Sequence, residues 1–126
     1  MYGYKRQVKG PYDEVVTKVK AELKKEGFGI MSEIDVKKTI KDKLGADFDN
    51  YVILGACNPP FAFKALQAER EIGLLMPCNV IVYEDKGKVF VASIRPTVSM
   101  SMVSNQGLAS VAIEVENKLK KAVDSV

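Results

Sequence analysis

Two cysteines sit in matching surroundings, Gly55-Ala56-Cys57-Asn58-Pro59-Pro60 and Pro77-Cys78-Asn79, and have more to offer chemically than any other residues of this 126-residue chain. The first closes an apolar run and directly precedes Asn-Pro-Pro, which reads as a strand running into a helix N-terminus. Unpaired amides and the positive end of a helix dipole at such a place favour a thiolate and lower its pKa. Cys57 is therefore a candidate nucleophile or redox centre. The plainer alternative is a small buried apolar residue, the usual state of a free cysteine. Twenty residues separate Cys57 from Cys78, so this is no CxxC motif. If the two thiols share one end of a sheet, they would make a dithiol, a soft-metal site or part of a ligand pocket, and the residues leave the three open.

Glu33, in an apolar segment between Met31 and Ile34, is the candidate acid/base or ligand-binding carboxylate if that sheet face is covered, and an ordinary edge carboxylate if it is not. Asn58 and Asn79, each following a cysteine, read as ligand contacts or, more plainly, as a helix cap and a turn or bulge residue. Met31, Met76, Met100 and Met102 suit adaptable packing around a pocket or simple core filling.

The chain has no His, which removes the Ser-His-Asp triad, the Cys-His pair, the HExxH zinc site and the imidazole switch. It has neither a P-loop nor a GxGxxG pattern, the residues name no cofactor, and no metal site is assigned. The net charge is only +3 and three of the 19 basic residues are Arg (Arg6, Arg70, Arg95), a poor set for reading bases or gripping phosphate. Lys37, Lys38, Lys41 and Lys43, interrupted by Asp42 and free of aromatics, read as a solvated helix face. No nucleic-acid partner is expected. The longest apolar run, Ile72 to Tyr83, is broken by Pro77 and falls short of the roughly 20 residues a bilayer needs. Met1–Lys9 has no apolar signal core. A cytoplasmic protein with reduced thiols and no membrane partner is the expectation.

The elements that position these residues follow from periodicity. Tyr2–Val8 alternates as a strand, and Tyr12, Val15, Val16, Val19 and Leu23 recur at helical spacing until Gly27. Phe28–Ile34 reads as a second strand with Phe28, Ile30, Ser32 and Ile34 on one face and Glu33 on the other. Asp35 caps a helix over Val36–Leu44 with a narrow stripe of Val36, Ile40 and Leu44. Tyr51–Cys57 is apolar at consecutive positions, as in a strand covered on both faces. A short helix follows Pro59, with Phe61, Ala65 and Leu66 inward. Leu74–Tyr83 reads as another strand around Pro77, with Ile72–Cys78 aligned parallel to Tyr51–Cys57 so that both segments end in cysteine. Val80–Tyr83 and Lys88–Ile94 form a hairpin, and Leu108, Val111, Ala112, Val115, Leu119, Ala122 and Val123 give a long amphipathic helix.

The expected fold is α+β: one domain over residues 1–126, a single sheet of about five strands with helices mainly on one face, in the order β-α-β-α-β-α-β-β-α. Strands apolar on both sides need helices on both faces or a second subunit on one; an exposed apolar sheet face exceeds what soluble monomers tolerate, and a homodimer is the expectation, two-fold by base rate.

Glu26-Gly27-Phe28-Gly29, Glu33-Ile34-Asp35, Leu54-Gly55-Ala56-Cys57-Asn58-Pro59 and Ile72-Gly73-Leu74-Leu75-Met76-Pro77-Cys78-Asn79-Val80-Ile81-Val82-Tyr83 together resemble the domain-of-unknown-function 302 family, in order and across essentially the whole chain. The resemblance implies a small α+β domain found as dimers in bacteria and archaea. It carries no catalytic role to any residue. Two functions remain in view: a dimeric module binding a small apolar or soft ligand near Glu33, Cys57, Asn58, Cys78 and Asn79, or a thiol-based redox or metal-binding protein using Cys57 and Cys78.

Overall fold

The computed structural model describes residues 1–126. The chain runs β1 (Gly3–Val8), α1 (Tyr12–Lys25), β2 (Gly29–Asp35), α2 (Val36–Leu44), β3 (Tyr51–Cys57), α3 (Pro59–Ala68), a 3₁₀ segment (Arg70–Leu75), β4 (Cys78–Asp85), β5 (Lys88–Ile94), a one-turn α4 (Pro96–Ser99) and α5 (Gln106–Asp124). The five strands form one sheet in the order β1-β5-β4-β3-β2, every neighbouring pair antiparallel. The α+β expectation and its element order therefore hold, with α4 and the 3₁₀ segment added inside the connections.

The core lies between one sheet face and a helical layer. Val52, Leu54 and Ala56 on β3, Val80 and Val82 on β4, and Val89 and Val91 on β5 point into it by the two-residue alternation of a strand. Val15, Val16, Val19 and Leu23 of α1 meet them, and so do Leu108, Val111, Ala112, Val115, Leu119, Ala122 and Val123 of α5. These are the two apolar stripes read from helical spacing.

Three readings need correction. The residues from Ile72 to Leu75, aligned above beside Tyr51–Cys57, lie in a 3₁₀ segment (Arg70–Leu75), and β4 begins only at Cys78 rather than Leu74, running antiparallel to β3 with Ala56 opposite Cys78. Pro77, which follows a cis peptide bond, offers no amide to a ladder and stands just before the strand. The thiols do share one end of the sheet, but because β3 ends where β4 begins. In β2 a bulge at Met31 shifts the alternation: Ile30 lies opposite Ala56 and Glu33 opposite Leu54, so both face the helices, while Ser32 and Ile34 turn to the other face with Gly55 and Ile53. Finally, α2 buries none of its residues and Leu44 is exposed.

Gly55 is required by a close approach. A Cβ there would lie 2.8 Å from Pro77 Cγ and run into Ser32 Oγ, so only glycine lets Pro77 settle on β3. No helix is long and apolar enough to cross a membrane.

Candidate functional site

Cys57 closes β3 and Cys78 opens β4, and both border a cavity of about 30 Å³ between this end of the sheet and the helices. Asn58, Phe61, Met76 and Met100 complete the part of the wall that matters chemically. These residues come from separate elements: Met76 ends the 3₁₀ segment, Phe61 belongs to α3, and Met100 caps α4 against Val111 and Val115 of α5. The lining is overwhelmingly apolar.

Asn58 occupies the N-cap position of α3, as expected, but its side chain does not cap that helix. It is buried, and its Nδ2 donates instead to the carbonyl of Glu26, at 3.0 Å. This ties the start of α3 to the end of α1. Gly27 suits this arrangement: its φ of +89° is one that L side chains rarely adopt, and a Cβ there would crowd Asn58 Nδ2 at 3.1 Å. The Glu26-Gly27 and Cys57-Asn58 segments, far apart in the chain, thus belong to one local arrangement. Pro59 begins α3 with φ already helical and no amide to satisfy.

Burial pushes the Cys78 thiol up to about 11, and the neighbouring Cys57 adds to the rise. Both cysteines are free. The remaining candidates lie elsewhere. Glu33 is exposed and pairs with Lys20 of α1 at 2.7 Å, outside the cavity. Asn79 is exposed on the opposite sheet face, beside Ile81 and Tyr2. Of the four methionines, Met76 and Met100 line the cavity while Met31 and Met102 are exposed.

Sequence reasoning missed how the cavity's lid is held. Glu116 of α5 is buried, and its Oε1 accepts from the Thr97 amide at 3.0 Å and from Thr97 Oγ1 at 2.6 Å. Its Oε2 faces Arg95 Nε at 3.3 Å and Lys120 Nζ at 3.2 Å. Burial alone would raise this carboxyl, but the Thr97 bonds and the two cations outweigh it and bring it down to about 2. The cluster pins α4, and with it Pro96 and Met100, onto α5. The available signal was a carboxylate at an apolar-stripe position, four residues after Ala112.

Residues 4–126 match the family described as Domain of unknown function DUF302. Among solved structures, the crystal structure of an uncharacterized conserved protein DUF302 from Bacillus stearothermophilus is 29% identical, with a TM-score of 0.93 over 99% of this chain and 98% of that one. No curated protein matches.

Proposed function

The chain belongs to the DUF302 family, and we propose that it is a binding module rather than a catalyst, a two-fold homodimer that holds a small apolar or soft ligand in a pocket near its two Cys-Asn motifs. What carries this reading is that Cys57, Asn58 and Cys78 border one apolar cavity. At about 30 Å³ the cavity has room for an occupant the size of one or two water molecules, far below the roughly 300 Å³ at which drug-sized sites begin.

The thiol-enzyme alternative has less support. A resolving cysteine must ionise, and a thiol at about 11 is thiolate in only about one molecule in 10,000 at pH 7. Glu33, its proton handler, pairs with Lys20 and does not line the cavity that the two cysteines border. A cytoplasmic location with reduced thiols fits the binding reading.

The second copy is argued from the bare sheet face. Tyr51, Ile53, Ile81, Tyr83 and Phe90 all point away from the helices and are only partly buried. Exposed Ile34, opposite Ile53, and Phe48, beside Tyr51, extend this surface past β3. Apolar area of this kind is what a self-complementary two-fold interface covers.

The cavity reading is tested by NMR of the protein with labelled methionine methyl groups, adding xenon or dimethyl sulfide. Met76 and Met100 resonances shift, while Met31 and Met102, exposed elsewhere, stay in place. Unmoved Met76 and Met100 signals with both probes would overturn the reading.

A further inference from the structure

Four sulfur-bearing residues from four parts of the fold line the same small cavity: Cys57 at the end of β3, Cys78 at the start of β4, Met76 after the 3₁₀ segment and Met100 after α4. The chain has five methionines and two cysteines in all, so this one spot gathers both thiols and two of the thioethers. We infer that the cavity is a Cu(I) site, in which the Cys57 and Cys78 sulfurs are the principal ligands and the Met76 and Met100 thioethers the weaker, neutral ones. The inference rests on the reading of the cavity as a ligand site and names the ligand.

Three physical arguments select this ion. Softness comes first: thiolate and thioether donors together favour Cu(I), whereas carboxylate and carbonyl oxygens suit Mg, Ca and Mn. No three His, Cys, Asp or Glu side chains come together anywhere in the chain, so harder and borderline ions find no donor set. Size comes second, because a cavity of about 30 Å³ accepts a single ion but not an organic molecule of ordinary dimensions. Charge comes third. Cu(I) with two thiolates carries one net negative charge, and the site lies at the N-terminus of the ten-residue α3, where the amides and the helix dipole favour an anion.

The proton balance is simple. Each thiol releases its proton to solvent as its sulfur takes the metal, and copper enters and stays as Cu(I), so no electron is transferred. Asn58 and Gly27 act at one remove, fixing the start of α3 beside Cys57 through the bond to Glu26.

The test is an anaerobic titration of the reduced, full-length protein with Cu(I), in competition with the chromophoric chelator bicinchoninate. One Cu(I) per chain is withdrawn from the chelator, and X-ray absorption shows sulfur neighbours only. Cys57→Ser and Cys78→Ser each lose the ion. Met76→Leu and Met100→Leu, which conserve volume, keep it with affinity lowered about tenfold or more. Zn(II) offered under the same conditions is not retained as tightly. The assignment is overturned if no copper leaves the chelator, if oxygen or nitrogen neighbours appear, or if Zn(II) binds as well. Should a cysteine variant fail to fold, stoichiometry and the methionine pair still decide, and two leucine variants that bind like the wild type overturn the thioether assignment. Copper refused while xenon or dimethyl sulfide still moves the Met76 and Met100 signals removes the Cu(I) assignment alone; with neither entering, the cavity reading falls too.

Discussion

The two faces of the sheet are built from residues of similar hydrophobicity and have opposite fates. Towards the helices, Leu54, Val80, Val82 and Val91 are each 0% exposed. On the other face the same three strands present Tyr51, Ile53, Ile81, Tyr83 and Phe90, all left partly in water by this chain. The covered face uses aliphatic side chains that interlock with helices. The open one uses flat rings, with Tyr51 and Tyr83 stacked at 5.4 Å and Tyr83 and Phe90 at 5.2 Å. Such cross-strand ring pairs contribute roughly 0.5–1.5 kcal/mol each without help from a second layer. One face therefore holds the monomer together, and the other is stiffened locally and remains available for a neighbour.

The largest effect that could break this contrast is on the covered side. Leu54→Ala should destabilise the chain by about 2–5 kcal/mol in urea unfolding, since the surrounding helices cannot collapse into the space left. A loss under about 1 kcal/mol would mean that the helical face is not the tightly packed one.

Next comes the buried carboxylate that locks the helical layer. The Glu116 pKa is depressed in the folded chain, so its stabilisation is present above the ordinary carboxyl value of 4.5 and is lost as pH falls towards about 2. That window is worth at most about 3 kcal/mol. Glu116→Gln should remove this part of the acid sensitivity, so the stability gap between wild type and variant narrows from pH 5 to pH 2. A constant gap across that range would show that Glu116 contributes no such linkage.

The smallest effect on the chain itself is expected on the open face, where Ile81→Lys should change its intrinsic stability by less than about 1 kcal/mol. Its effect on assembly should be complete: at micromolar concentration the wild type sediments as a dimer and Ile81→Lys as a monomer. A wild type that sediments as a monomer would remove the second copy from the proposal.

The site was legible in part. Cys57 before Asn58-Pro59-Pro60 marked a strand-to-helix junction correctly, because an N-cap residue followed by proline is a local signal. That Cys78 lies at the same end also emerged, though from a parallel alignment that the antiparallel sheet replaces. Strand direction depends on how the chain returns, and the 3₁₀ segment with Pro77 shortens β4 in a way no hydrophobic pattern reports. Glu33 was placed on the face opposite Ile30 because strict alternation ignores a bulge. The extra residue at Met31 turns it to the helical side, into the reach of Lys20. Met100 and Glu116 could be seen as residues but not as neighbours of the site, since α4 is a single turn whose position is set by contacts with α5.

By itself the amino-acid sequence determined the order of the main strands and helices, the α+β class, the helical stripes that form the core and the exclusion of histidine chemistry, because these rest on residue type and on spacings of a few positions. Only the tertiary structure decided which of two apolar sheet faces the helices take, that four sulfur-bearing residues line one cavity, and that Asn58 reaches Glu26 rather than its own helix. Those outcomes depend on distances between segments remote in the chain, and a bulge, a short 3₁₀ segment and one turn of helix are enough to change them.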